Sequence, residues 1–260
     1  MATVNLDLSP GELQGQSGGP FDVPFPVWAG LDACLVALAE APANTAPGLS
    51  ALASYADLVA AAARWRPQTL PALVSVANDI DQFGRDVVDV QLPTLANALT
   101  SQASQPTASG LQQARTVLLQ IATTVQEHET SAAAVAAQLL EVDDDLQLVR
   151  TQVEDALSDS MGGPGGPPNS IVGLDALAQS LSELAAALAS VGTPPQQDLE
   201  RIRGAWAALG DDLGSFQSTI QETADSGSPY IVNLDLDVAT SEWTAIATQA
   251  RDFAQRASAL

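Results

Sequence analysis

Lysine is absent from this sequence, and two other residue types on which much enzyme chemistry depends occur once each, as Cys34 and His128. Without lysine the chain can form neither a Schiff base nor a P-loop phosphate site. A single cysteine excludes an intramolecular disulfide and a cysteine-based zinc site. The sequence also places no pair of titratable groups for acid and base work. We therefore expect no enzyme, no catalytic residues, no bound metal and no cofactor.

Positive charge is scarce as well, because nine arginines stand against thirty-one acidic residues and the net charge at pH 7 is −22. A field of that sign repels phosphate backbones and anionic lipid head groups, whose capture needs clustered lysine or arginine. Nucleic acid is therefore excluded as a partner.

Long apolar runs are also missing, although 46% of the residues are hydrophobic. No stretch reaches the ~18 unbroken apolar residues of a membrane span. The segment from Met1 to Gly19 has neither the basic start nor the apolar centre of a signal peptide. We expect a soluble protein, cytoplasmic as made, whose export would need a route without a conventional signal peptide.

The strongest pattern in the sequence is a heptad repeat that runs from Leu111 to Leu157. Small or apolar residues recur there in steps of three and four, with His128 at one of the same positions. This spacing predicts one long helix that packs side by side with others. The seam residues are Leu111, Ala114, Leu118, Ile121, Val125, His128, Ala132, Val135, Leu139, Val142, Leu146, Val149, Val153 and Ala156.

Prolines and glycines divide the rest of the chain. They predict an irregular N-terminal arm over residues 1–26, in which Val4 to Leu8 are extended. A single helical domain over residues 27–260 follows, interrupted by a glycine- and proline-rich loop at 158–170. Helices are predicted at 27–40, 73–90, 174–191, 199–220 and 236–257. A further helical region begins at 48 and is interrupted or kinked by Pro67 and Pro71, and Pro93 marks a bend after 73–90. The seam of 73–90 consists of Leu73, Val76, Ile80, Phe83, Val87 and Val90.

Together these segments predict an all-α fold, an elongated antiparallel bundle of about five long helices with little or no β head. Residues 230–236 are predicted as a short extended piece. We assign core or register roles to one histidine and four aromatic residues on the seams: His128, Trp206, Phe216, Trp243 and Phe253. For His128 a pH-sensing role is the weaker alternative, because a buried imidazole resists protonation.

Two acidic clusters carry little evidence for a metal. Asp143, Asp144 and Asp145 fan out by ~100° per residue around a helix, so they cannot converge on one ion. Asp235 and Asp237 alternate and could share one side of an extended piece, but they lack the glycine and the final glutamate of a calcium loop. We interpret both clusters as solvated surface.

The order of these parts resembles a known family. The segment ARWRPQTLPALVSVANDIDQFG (63–84), the long helix, and two closing tryptophan-bearing helices are similar to the haemolysin BL and non-haemolytic enterotoxin components, and to cytolysin A. The closing part carries Ile202, Trp206, Leu209, Leu213 and Phe216, then Trp243, Ile246, Ala250 and Phe253. The resemblance covers residues 50–257. It implies a non-enzymatic protein that joins partner subunits, or copies of itself, and reaches a target membrane through a partner.

One departure qualifies that expectation. The proteins that this chain resembles are components of α-helical pore-forming toxins. In them the segment that contacts the membrane, the tongue, lies between the long helix and the return helix. Here that interval holds only SDSMGGPGGPPNS, which is too short to cross ~30 Å of hydrocarbon. Its residues Gly162, Gly163, Pro164, Gly165, Gly166, Pro167 and Pro168 form the head-equivalent loop. The chain is therefore expected to be a helper or binding subunit. The alternative is a helical scaffold or adaptor for protein–protein contacts with no membrane role.

Overall fold

The computed structural model describes residues 2–6, 25–40, 53–99, 108–162, 230–234 and 236–260, with the single positions 179, 182 and 218. This part of the chain is helical apart from one pair of strands, which confirms the all-α fold class. In chain order the elements are β1 (Ala2–Leu6), α1 (Phe25–Glu40), α2 (Ala53–Arg64), a first π-turn (Trp65–Thr69), α3 (Leu70–Asp86), a second π-turn (Val87–Gln91), α4 (Leu92–Leu99), α5 (Ala108–Gly162), β2 (Tyr230–Leu234) and α6 (Leu236–Ala257).

The chain divides into two compact units. Unit 1 comprises residues 1–22, 75–133 and 198–255, and unit 2 comprises residues 23–74, 134–197 and 256–260. Unit 1 contains β1, most of α3, the second π-turn, α4, the first part of α5, β2 and nearly all of α6. Unit 2 contains α1, α2, the first π-turn, the start of α3 and the remainder of α5.

Helix α5 is continuous over 55 residues, from Ala108 to Gly162. Every described position of the predicted seam is buried except His128, which is half-buried. The steps of three and four therefore mark one apolar face, as the heptad pattern predicts. The helix also continues five residues beyond the predicted boundary at Leu157, because Ser158 to Gly162 are still helical. Proline first occurs beyond this point, at Pro164.

The two π-turns lie where the sequence predicts that prolines interrupt, kink or bend the second helical region. Residues 53–99 are helical throughout, and Leu70 and Leu92 donate their backbone N–H groups to the carbonyls of Trp65 and Val87, five residues earlier. Each π-turn ends directly before a Leu-Pro pair. A proline has no N–H to donate and its ring clashes with the carbonyl four residues earlier, and a wider turn relieves both problems.

Each π-turn also inserts a step of five residues between buried apolar side chains. Trp65 is followed by Leu70, with the buried polar residue Thr69 just before it, and Val87 is followed by Leu92. Val90, predicted on the seam, is instead 54% exposed. That assignment is wrong because it continued the three-and-four spacing through a turn that contains one extra residue.

The two strands form a parallel sheet of unit 1. Its register places Val4 beside Val232, Asn5 beside Asn233 and Leu6 beside Leu234. The predicted extended pieces at residues 4–8 and 230–236 thus contain real strands, which end at Leu6 and Leu234. Because α6 begins at Leu236, Asp237 lies in its first helical turn and does not alternate with Asp235 along a strand.

Two predicted helices, 174–191 and 199–220, lie outside the described residues apart from positions 179, 182 and 218. Within the ranges that the structure describes, no helix is both long enough and apolar enough to cross a bilayer.

Candidate functional site

The five residues predicted for core and register roles fall into two groups. Trp206 and Phe216 lie outside the described residues. Trp243 and Phe253 lie on α6 with 1% and 6% of their surfaces exposed, and His128 lies half-buried on α5. In the head-equivalent loop, Gly162 is the last residue of α5, and Gly163 to Pro168 lie outside the described residues.

Three helices of unit 1 meet at Phe83 of α3. Its ring contacts that of Trp243 on α6 edge to face, with centroids 5.4 Å apart and planes at 86°. It also contacts the imidazole of His128 on α5, with centroids 5.3 Å apart and planes at 61°. Edge-to-face pairs of this kind favour one relative orientation of the rings. His128 therefore belongs to a packed three-helix contact.

Burial sets the protonation of His128. Loss of solvent lowers the pKa of the imidazole, and the nearby carboxylates of Asp79 and Glu127 offset part of this effect. The neutral imidazole is thus favoured in the folded protein.

Gly84 lets α3 and α6 approach closely beside that aromatic contact. A Cβ atom at this position would lie 3.0 Å from the Cβ of Ala247 and 3.2 Å from the backbone oxygen of Trp243. These separations are shorter than ordinary van der Waals contact, so a side chain would push the two helices apart.

Asp81 is a buried carboxylate that joins α3 to α6. Arg251 of α6 donates from Nη2 to Oδ1 at 3.0 Å, and from Nε to both oxygens at 3.3 Å. Arg85, one turn along α3, donates to Oδ2 as well. Only 5% of the Asp81 side chain is exposed, whereas the two guanidinium groups reach solvent. We name this arrangement the Asp81 clamp.

A groove of about 600 Å³ follows the exposed face of α3 and the second π-turn. Its acidic residues Asp86 and Asp89 are exposed beside Val90, and Gln91 donates to Oδ2 of Asp86 at 2.6 Å. Arg85, the cation in the groove, is already held by Asp81. The groove thus presents two carboxylates and one apolar side chain. Its lining residues are Asn78, Asp81, Gln82, Arg85, Asp86, Asp89 and Val90.

Unit 2 holds a second buried carboxylate, Asp32 of α1, against the first π-turn. Trp65 donates from Nε1 to Oδ1 at 3.0 Å. Arg66 donates from Nε to Oδ1 at 3.0 Å and from Nη2 to Oδ2 at 2.7 Å, which is the bidentate geometry of a strong pair. The Arg66 hydrogen bond leads in lowering the pKa of Asp32, against the opposing effect of burial. We name this arrangement the Asp32 clamp.

One cluster of acidic residues in unit 2 is subject to repulsion between like charges. Burial and the neighbouring carboxylates of Asp57 and Glu141 raise the pKa of Asp145, and Arg64 opposes them. Arg64 itself pairs with Glu141 at 2.6 Å. Asp57 lies on α2 and Asp145 on α5, so this repulsion acts between two helices.

These clusters do not converge on an ion. Within the described ranges, no group of three or more histidine, cysteine, aspartate or glutamate side chains could hold a metal. The chemistry that the described residues offer is charge pairing, hydrogen bonding and apolar contact between helices.

Three features escaped the sequence analysis. The clamp contacts that join different elements connect residues 33 to 170 positions apart, so no local pattern marks them, and only the Asp81–Arg85 pair is local. The π-turns do leave a signal, because each shows as a five-residue step between buried apolar positions that ends at a Leu-Pro pair. The third feature is the pentapeptide VNLDL, which occurs at residues 4–8 and again at 232–236. Both copies contribute to the two-stranded sheet.

Comparison with known proteins adds little to these observations. No protein-family model matches the chain, and no curated protein matches it. Among solved structures it is similar to a soluble AhlC triple head mutant of the tripartite alpha-pore forming toxin AHL from Aeromonas hydrophila. That match has 11% identity and a TM-score of 0.32, and covers 89% of this chain and 97% of the other. A TM-score this low does not establish a common fold.

Proposed function

We propose that this chain is a non-enzymatic component of an assembly of the α-helical pore-forming toxin type, acting as a helper or binding subunit. The observation that carries this function is α5, a helix of 55 residues with one buried apolar seam. Compact domains need helices of only about 11 residues. A helix this long suits a protein whose work is to present an extended surface to other molecules.

The acidic charge of the chain indicates which surface a partner would need. Among the described residues, Arg64, Arg66, Arg85 and Arg251 are paired with carboxylates. The net charge of the chain is −22, and the groove beside Val90 carries two exposed acids. A partner subunit would therefore present arginine or lysine next to an apolar side chain. Anionic lipid would repel the chain, so its approach to a membrane would depend on that partner or on zwitterionic lipid.

Vesicle flotation tests this role. The chain is mixed with phosphatidylcholine–cholesterol vesicles, alone and with each chain encoded beside it in its genome. We expect it to float with the vesicles when a partner is present, and to float less when phosphatidylserine is included at low salt. A chain that stays in the aqueous fraction with every partner and every lipid composition would falsify the proposal and leave the adaptor alternative.

A matched pair of variants locates the partner surface. Asp89→Arg reverses a charge in the groove, whereas Glu129→Arg makes the same change at half-buried Glu129, outside the groove lining. If the groove receives a basic partner, Asp89→Arg should weaken co-flotation and Glu129→Arg should not. Equal behaviour of the two variants would remove the groove from the partner surface.

A further inference from the structure

The two strands of the sheet end in the same three residues, Val-Asn-Leu, at positions 4–6 and 232–234. Residues 4–8 and residues 232–236 both read VNLDL. The sheet pairs them in parallel and in register, so that valine lies beside valine, asparagine beside asparagine and leucine beside leucine. Three residues of one strand thus pair with the identical tripeptide of the other, whereas the two preceding pairs, Ala2 with Tyr230 and Thr3 with Ile231, differ.

The sheet has two outer edges, one on β1 and one on β2. Within the described ranges it consists of β1 and β2 alone. Each strand therefore has an outer edge whose backbone N–H and C=O groups are not bonded to another strand of that sheet, and such an edge is a template for a further strand. Sheets of two strands are also marginally stable, and a third strand adds stability.

We propose that β1 of one copy of this chain adds in parallel to the outer edge of β2 in a second copy. The order across the contact is then β1, β2, β1 of the second copy and β2 of the second copy. Val4 of the incoming strand lies beside Val232, the same register as within one chain. In-register stacking lets the Val-Asn-Leu tripeptide common to both strands form the same pairs at every added strand.

This contact joins two different surfaces, the edge of β2 on one copy and that of β1 on the next. Head-to-tail contacts of this kind close into rings or continue as filaments. Self-association through the sheet needs no membrane, and it stands or falls separately from the toxin-like role. The charge of −22 on each copy opposes it, so added salt should strengthen it.

Disulfide trapping tests the contact and its register. In a Cys34→Ser background, one preparation carries Val4→Cys and the other Val232→Cys, so that neither can form the intramolecular bond. On mixing and mild oxidation we expect covalent dimers. The control replaces Val232→Cys by Tyr230→Cys, which moves the thiol two residues along the same strand and should give several-fold fewer dimers. Equal yields from the two mixtures would contradict the proposed register.

A locked chain separates edge addition from exchange of strands between copies. Val4→Cys and Val232→Cys in one chain, oxidised at high dilution, fix β1 to its own β2 and leave both outer edges available. By light scattering, the locked chain should still increase its weight-average mass at least about twofold between dilute and concentrated solution at high salt. A locked chain that stays monomeric while the reduced chain associates would mean strand exchange and overturn edge addition. A reduced chain that is monomeric under all conditions would also overturn it.

Discussion

The buried carboxylates of Asp32 and Asp81 are both paired with arginine, but their partners come from different elements. In unit 2, both partners of Asp32 come from neighbouring positions of one π-turn, Trp65 and Arg66. In unit 1, Asp81 is held by Arg85 on its own helix and by Arg251 on α6. One clamp therefore includes a buried neutral donor, and the other relies on two cations that reach solvent.

This difference decides what each clamp contributes. The indole N–H of Trp65 is buried and would lose its partner without Asp32, so its desolvation penalty would remain. The guanidinium groups of Arg85 and Arg251 can return to water if Asp81 is lost, which limits the damage. The Asp32 clamp should therefore matter more for stability, and the Asp81 clamp should respond more to salt.

The largest expected effect is that of Asp32→Ala. This change leaves a buried indole N–H without an acceptor and removes a bidentate ion pair, so we expect a loss of about 3 kcal/mol in the free energy of unfolding, measured with urea. Asp32→Asn keeps an oxygen for Trp65 and should recover part of that loss. An alanine variant as stable as its asparagine counterpart would show that the indole bond contributes nothing.

Asp81→Ala should lower the free energy of unfolding by about 2 kcal/mol, less than Asp32→Ala, because both arginines regain solvent. Urea unfolding at low and high salt measures the effect. The difference between the wild type and Asp81→Ala should shrink with added salt, while that for Asp32→Ala should change little. The opposite order of the two variants would break the comparison between the clamps.

Gly84→Ala tests the helix contact beside the Asp81 clamp. The new methyl group would meet Ala247 and the carbonyl of Trp243, and this overpacking outweighs the gain of about 1 kcal/mol in helix propensity. We expect a net loss of about 1 kcal/mol in thermal unfolding. A control at Gly30, where an added Cβ would meet nothing within 4 Å beyond the adjacent backbone of its own helix, should be stabilising.

Acidification should weaken unit 1 through His128. Because burial lowers the pKa of this imidazole, the folded state prefers the neutral form. Its contribution is full above the ordinary pKa of about 6.5 and is lost as the pH falls below that value. His128→Gln removes the titration, so the stability of the wild type relative to this variant should fall between about pH 7 and pH 5. A constant difference would rule out the burial effect.

Asp145 in unit 2 should have the smallest effect, and its contribution to stability should change with pH in the direction opposite to that of His128. Its pKa is raised, so the charged form is disfavoured in the folded protein and stability increases as the pH falls through the raised value. Asp145→Asn should therefore be slightly more stable than the wild type at pH 7, and the advantage should vanish in acid. Asp143→Asn, which makes the same substitution two residues earlier on α5, is the matched control.

The sequence was sufficient where the structural signal is local and periodic. The seam of α5 follows from a spacing that each turn of a helix repeats, and the described seam positions are buried apart from His128. Val90 was misplaced because a single extra residue in a π-turn shifts the pattern without changing its composition. The clamps could not be predicted, since nine arginines and thirty-one acids allow many pairings and only the folded backbone selects among them.

The repeated pentapeptide lies between these cases. VNLDL can be read at residues 4–8 and 232–236, but nothing local indicates that the two copies meet. Their parallel pairing joins segments more than two hundred residues apart. Such long-range pairing depends on where the helices carry the two strands.

Dye release from phosphatidylcholine–cholesterol vesicles tests the central claim most directly. The chain is added alone, its genomic neighbours are added without it, and then all are mixed at equal concentrations. A helper or binding subunit predicts little release from either preparation alone and rapid release from the mixture. Release by this chain alone, or release by its neighbours that does not change when it is added, would contradict the account.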